Sequence, residues 1–488
     1  MKILMLSESS YPLHPGGSGK TSHLLAAALA ERGHRVHLVS LIADEHARRE
    51  TLDGVDVIRL ADRPATPGVG RDRRAARDLE HRLAKRLDLD AIDIVHDSGG
   101  FLSYFLSLAE RLRSQFGSRV VMHFRYLLHR HQAIYRTSSG VAAASIDACN
   151  FETNIHETTQ CFGVRTADHV LCPSHDDATF VDAAYRPTRL SVLPDPIDPH
   201  FLQAPTPSPS RDRTLLFRGA ADNHLKGAEI VLEAFPKLRT RYPDLRLMVV
   251  GGGGESFAER LGHDRVMTLP WLDDATAMAN AYARATVVVA PSHYESFGLM
   301  AIEAMAAGRP VVAAPVGGMR DVIDDSGGGL LFPERHPSTW SDALVDAVST
   351  LLDDPTHVQE LADRGHRYVR DRLMPSHIAT RLETLYKELI ERKHDATRPH
   401  LTAPSWSRDD QLRYLDTANT WARAANPAIE EDNWRNDIDH HCTGCTRDRI
   451  ATGLLALRQG TPSAPVCPLA VLQQRLVRDH QERLGDLT

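Results

Sequence analysis

The chain contains no uninterrupted apolar stretch of the roughly 20 residues that a membrane-spanning helix needs. Met1-Lys2 leads straight into a short apolar run, Ile3 to Leu6, and then Ser7-Glu8, without the pattern of a secretory leader. Cysteine is scarce, with 6 in 488 residues, which excludes a disulfide-stapled secreted framework and leaves reduced thiols or metal ligands. Neither sign of charge dominates, because 57 Lys and Arg stand against 64 Asp and Glu for a net charge of −7. Such a balance gives no broad field for nucleic acid or for an anionic membrane. These absences lead us to expect a cytoplasmic globular protein. Its length exceeds one ordinary core, so two domains of about 190 residues and a remainder are expected.

What is present is concentrated between Thr286 and Phe332. An apolar, β-branched run, Thr286 to Ala290, breaks at Pro291-Ser292, and a helix is expected from Gly298 with Leu299, Ile302 and Met305 on its apolar face. A buried strand, Pro310 to Ala314, follows. Strand, loop, helix and strand of this length make one βαβ unit of a parallel sheet, whose ligands lie at the carboxyl ends of the strands. Glu295 and Glu303 frame the loop and helix. Over eight helical residues the second carboxylate would rise about 12 Å and return to within a quarter turn of the first, so the pair could touch both ends of one elongated ligand. Between them the amides of Ser296, Phe297 and Gly298 lie at a helix N-terminus, where free N–H groups and the dipole favour an anion. Carboxylate, amides, carboxylate is the polarity of a nucleotide sugar, with its sugar hydroxyls, diphosphate and ribose hydroxyls.

Glu295-Ser-Phe-Gly-Leu-Met-Ala-Ile-Glu303, followed by Ala306-Ala-Gly-Arg-Pro-Val-Val, resembles the Glu-x7-Glu motif of the retaining GT-B glycosyltransferases, the family 4-like group. The resemblance implies two Rossmann-like parallel-sheet domains facing a cleft, with Glu295 by the donor sugar and Glu303 on the ribose. It also implies a donor-binding set of Gly16, Gly17, Ser296, Phe297, Gly298, Leu299 and Glu303. The bland alternative is a solvated helix face carrying two unrelated glutamates.

In the first half, Lys2 to Glu8 is expected to be a buried strand and Ser18 to Arg32 a helix stopped by Gly33. Gly19-Lys20-Thr21 imitates the end of an ATP-binding Walker A loop, but the glycine that motif needs five residues earlier is His14. Gly16-Gly17 instead resembles the family's N-terminal glycine loop, a plain turn capped by Ser18 being the alternative. Strands are expected at His34 to Ser40 and Val55 to Leu60. The basic stretch Arg71 to Arg86 is interspersed with Asp72, Asp78 and Glu80, which favours a solvated helix over a lipid-binding one. Asp88-Leu-Asp90 mimics a metal-binding DxD but falls where a turn is expected. Two strand ends finish in histidine, at His96 and His123; the resemblance places His123 beside the donor sugar and leaves His96 second to it. Arg125, Tyr126, His129 and His131 are either acceptor contacts or a polar loop. Strands at Ala167 to Pro173 and Ser191 to Ile197 complete residues 1–198, the expected acceptor domain.

Residues 199–375 are expected to bind the nucleotide sugar, beginning with the strand Thr214 to Arg218 and a loop ending in Lys226-Gly227. Relatives carry an arginine and a lysine here as a clamp on the donor phosphates, which implies a catalytic set of His123, Glu295, Lys226 and Arg218, although Arg218 precedes Gly219 where the pattern has it following a glycine. Trp271 is either a neighbour of the base or an interdomain packing residue. Residues 376–398 correspond to a helix crossing back onto the first domain, and residues 399–488 are an addition. That addition holds Cys442, Cys445 and Cys467, which with His440 have the makings of a structural zinc site, metal and no metal standing as equal readings. The extension could also pair copies of the chain.

The expected function is transfer of a sugar, with retention, from a UDP- or GDP-sugar to a small hydrophilic acceptor. No metal cofactor is required for it, because protein cations and helix dipoles stabilise the leaving diphosphate. A peripheral-membrane glycolipid transferase is the rival enzyme, and a non-catalytic carbohydrate- or nucleotide-binding assembly protein the rival from another class.

Overall fold

β1 (Lys2–Ser7), whose residues Ile3 to Ser7 are all buried, lies at the centre of the first of two sheets. The computed structural model describes residues 1–392, except 8–9, 14–16, 43–47, 62–80, 88, 90, 99–105, 125–163, 165–166, 186, 205–212, 220–223, 263 and 333–338; residues 393–488 are outside it. α1 (Gly17–Glu31) follows β1 and ends at the left-handed Gly33, as its sequence anticipates. β2 (Arg35–Ile42), β3 (Arg48–Leu52), β4 (Val55–Ala61), β5 (Ile94–Ser98), α2 (Leu106–Phe116) and β6 (Arg119–His123) come next. β7 (His169–Cys172), α3 (His175–Tyr185) and β8 (Leu190–Val192) close the first body. The strand order is β3-β4-β2-β1-β5-β6-β7-β8, parallel except for β3 against β4. β3 had no counterpart in the sequence reading; all its residues but Leu52 are polar and exposed, so it carries no apolar alternation. The strand expected over Ser191 to Ile197 stops at Val192, because Pro194 and Pro196 lack the N–H that a ladder needs.

The second body contains β9 (Thr214–Arg218), α4 (Ala228–Arg241), β10 (Arg246–Val250), α5 (Gly254–Leu261), β11 (Val266–Leu269), α6 (Ala275–Ala283) and β12 (Val287–Ala290). After these come α7 (Leu299–Ala306), β13 (Val311–Ala313), α8 (Gly318–Ser326), β14 (Gly329–Leu331), α9 (Trp340–Asp353) and α10 (Pro355–Arg372). Its sheet, β11-β10-β9-β12-β13-β14, is parallel throughout. Runs such as Val287 to Ala290 are buried on both faces, as strands covered by helices on each side must be. The glycine run after β10 leads directly into α5, which Gly254 begins.

Two chain crossings join the bodies. The segment leading to the short 3-10 turn at Pro199–Gln203 meets the residue after α10 through Ile197 N to Leu373 O, 2.9 Å. α11 (Pro375–Glu391) then returns to the first body and packs on α1. One apolar cluster includes Ile3 and Met5 of β1, Ile197 and Phe201 of the crossing, Tyr386 of α11 and Val288 of β12. The two bodies therefore share a packed seam around the hinge. Among the described residues no helix is long and apolar enough to cross a membrane.

Candidate active site

At the carboxyl end of β9 the chain turns through a short 3-10 segment, His224–Lys226, into Gly227 at φ 71°. A Cβ at Gly227 would lie 2.0 Å from the carbonyl oxygen of Pro291, so only glycine lets this turn rest against the loop after β12. That contact fixes Lys226, whose Nζ donates to Glu295 Oε2 at 2.6 Å. Arg218, the last residue of β9, donates to Glu303 Oε2. The hydroxyl of Tyr282, from α6, donates to the same oxygen at 3.0 Å. The guanidinium of Arg218 also stacks on the half-exposed Trp271 ring, 5.0 Å from its centroid, so Trp271 has a partner at the mouth of the site. Burial opposes the charge of Arg218, but Glu303, Tyr282 and Glu295 together raise its pKa and hold it protonated. Burial first, and then Glu303, pushes the Tyr282 phenol up, so it remains a donor. Arg218, in doubt from its offset against the family pattern, is thus brought to the predicted ribose carboxylate.

Glu295 is not on the helix. α7 starts only at Leu299, with Gly298 left-handed at φ 104° as its N-cap, so the uniform helical rise expected from Glu295 to Glu303 does not apply. The loop Glu295 to Gly298 is shaped by the next crossover. Gly318 N donates to Glu295 O at 3.0 Å, and a Cβ at Gly317 would lie 1.9 Å from that oxygen. The amides of Ser296, Phe297 and Gly298 find no acceptor among the described residues and remain available to an anion. The Ser296 hydroxyl donates to Asp177, a buried carboxylate at the start of α3 in the first body, which Tyr294 OH also approaches at 3.5 Å. Sequence reasoning missed Asp177, which lies 119 residues from Ser296 and carries no local signal. In the same motif Arg309 bonds the carbonyl of Ala283 at the end of α6, which gives the Gly-Arg-Pro segment a structural role.

Across the cleft, His123 ends β6 and is fully buried. His96 was expected at a strand end, but β5 continues to Ser98 and His96 lies inside the sheet. Gly17 opens α1, and a Cβ there would meet Leu299 Cδ1 at 2.6 Å, so the glycine segment and α7 touch from opposite bodies. Gly16, Asp88, Asp90, most of Arg71 to Arg86, and Arg125, Tyr126, His129 and His131 lie outside the described residues. So do His440, Cys442, Cys445 and Cys467. Among the described residues there is no group of three or more His, Cys, Asp or Glu that could hold a metal. Cys172 is buried, and burial pushes its thiol pKa up.

Two parallel-dominated sheets meeting at the carboxyl ends of their strands, with paired carboxylates and cations at open amides, define a GT-B glycosyltransferase. Residues 15–201 match the family described as Glycosyltransferase Family 4, and residues 212–354 match Glycosyl transferases group 1. Both models are of glycosyltransferases, and the chain is an enzyme of that class. It is 29% identical over 386 residues to the D-inositol 3-phosphate glycosyltransferase of Xylanimonas cellulosilytica, covering 70% of this chain and 87% of that one. Among solved structures it resembles sucrose-phosphate synthase from Thermosynechococcus elongatus, with a TM-score of 0.63 and 22% identity over 80% of this chain and 98% of that one. It also resembles Anabaena HepE in complex with UDP-glucose, with a TM-score of 0.56 and 18% identity over 79% of this chain and 100% of that one.

Proposed function

We propose that the chain moves a sugar from a nucleoside diphosphate sugar, with UDP favoured over GDP, to a small hydrophilic acceptor, with retention at the anomeric carbon. The observation that carries this reading is the run of amides from Ser296 to Gly298, which meet no acceptor among the described residues and are flanked by the Lys226–Glu295 and Arg218–Glu303 pairs. Glu303 accepts the ribose hydroxyls. The diphosphate lies on the amides and draws Lys226 away from Glu295, leaving that carboxylate for the sugar hydroxyls. In the transfer, the bond from the anomeric carbon to the phosphate oxygen breaks and a bond to the acceptor oxygen forms on the same face. The acceptor's proton passes to the leaving phosphate, whose growing charge Lys226 and Arg218 stabilise. UDP is favoured by the UDP-glucose complex of HepE, and a small hydrophilic acceptor by the inositol phosphate in the name of the Xylanimonas relative.

The test is a panel of UDP- and GDP-sugars scored for thermal stabilisation and slow hydrolysis. UDP-sugars are expected to raise the melting temperature and to release free sugar whose first-formed anomer, read by proton NMR, matches the donor. An inverted first anomer would overturn retention. Stabilisation by neither nucleotide series would overturn the donor assignment.

A further inference from the structure

The polar side chains buried on the face of the first sheet beneath α1 and α11 form a connected set. His96 and Ser98 are alternate residues of β5 and so share one face; opposite them in register on β6 are Val121 and His123. Ser22 of α1 donates its hydroxyl proton to Ser18 O at 2.7 Å, so the 2.7 Å contact between Ser22 and Ser98 has Ser98 as donor. On the other side, Tyr386 of α11 lies with its hydroxyl 2.7 Å from His96 Nδ1. His96, His123 and Tyr386 are all fully buried. The rings of His96 and His123 meet edge to face, with centroids 5.8 Å apart and planes at 80°. The rest of α11 is held to the same strands. Arg119, at the start of β6, donates to Leu389 O at 2.7 Å and Arg392 O at 2.6 Å at the helix end. β6 is thus bound to the crossing helix at one end and carries the cleft histidine at the other.

We propose that Tyr386 and His96 are positioning residues for His123, so that the helix crossing from the hinge sets the orientation of the ring that meets the donor sugar. The proposal rests on the assignment of His123 to the sugar made above. The Tyr386 hydroxyl both donates and accepts, and with either tautomer of His96 the bond ties Nδ1 to α11. Anchoring Nδ1 toward α11 fixes the plane of the His96 ring. That plane is the wall against which His123 rests, and without the anchor His123 gains rotational freedom where alignment with the sugar matters.

The experiment compares the full-length Tyr386→Phe, His96→Gln and His123→Ala variants in donor hydrolysis and in affinity for the free nucleoside diphosphate, with thermal unfolding as the folding control. Tyr386→Phe keeps the aromatic volume and removes only the hydroxyl. It is expected to lower turnover about five- to tenfold, the rate equivalent of one lost hydrogen bond, while nucleotide affinity stays within about twofold. His96→Gln retains an acceptor for Tyr386 but removes the wall, so it should show the same loss; it carries the test if Tyr386→Phe does not fold. In the His123→Ala background the effect of Tyr386→Phe should vanish. Unchanged turnover in Tyr386→Phe, equal losses of nucleotide affinity and turnover, or a loss that persists in full without His123 would each overturn the proposal. If His123→Ala alone leaves turnover intact, the sugar-contact assignment fails instead, separately from the Tyr386–His96 link.

Discussion

Single side chains in the second body are proposed to divide the donor between them, and their pairing with one another says how each will respond to removal. Glu303 holds Arg218 and Tyr282 as well as any ribose. Glu303→Ala should therefore weaken nucleoside diphosphate affinity by about 1–3 kcal/mol, and it also leaves a largely buried guanidinium without its carboxylate. Calorimetric titration of the folded variant reads this directly; an unchanged dissociation constant would remove Glu303 from the ribose. Lys226 is a different case, since it is paired with Glu295. Binding of donor only exchanges one anion for another, whereas charge on the leaving phosphate grows in the transition state. Lys226→Ala should accordingly lose more in kcat than in donor affinity, and equal losses would contradict a leaving-group role.

At the level of elements, α11 joins the two bodies and its attachment depends partly on charge. Glu383 accepts from Lys387 and from Arg32 of the first body, and these bonds pull its pKa down to about 2. A carboxylate depressed in the folded state contributes stability that is fully present above its unfolded pKa of about 4.5 and is lost as pH falls toward 2. Melting temperatures measured between pH 5 and pH 2 should fall more steeply for the natural chain than for Glu383→Gln. Parallel curves would mean that the contact does not contribute. The same scale accounts for the loop at the donor site. Gly227 and Gly317 permit two backbone contacts, to Pro291 and Glu295, that place the Lys226 turn and the amides on one cleft wall.

Over the whole molecule, the residues proposed for the donor in the described part, from Gly17 to Glu303, come from both bodies, and Asp177 of the first is bonded to Ser296 of the second. The addition at 399–488 contributes none of the assigned donor groups, so a chain ending at residue 398 should retain donor hydrolysis within about threefold, a difference under 1 kcal/mol. Of the two readings of its cysteines, a zinc clip through Cys442, Cys445, Cys467 and His440 would have four protein ligands and hence no open position for chemistry. On the zinc reading, metal analysis of protein prepared without chelator gives close to one zinc per chain, and Cys442→Ser exposes the extension to protease while leaving donor binding intact. Less than roughly a tenth of an equivalent, with three titratable thiols, would dismiss the clip.

The strand from Thr214 and the strand, helix and strand between Thr286 and Ala314 were legible because each carries a local signal: buried apolar runs, helical spacing of apolar residues, and glycine or proline at the ends. The motif from Glu295 to Arg309 is equally local, so the glycosyltransferase class could be read from it. β3, α5 and the early end of β8 were not, since short polar or proline-flanked segments have little periodicity. The pairings that make a site of these residues belong to the tertiary structure alone. Arg218 meets Glu303 across 85 residues, Ser296 meets Asp177 across 119, and Tyr386 meets His96 across 290. Chain order determined which groups each strand end presents. Only the docking of two sheets and the return of α11 decided which of them touch, because burial forces polar groups to find partners wherever packing brings them, however far apart they lie in sequence.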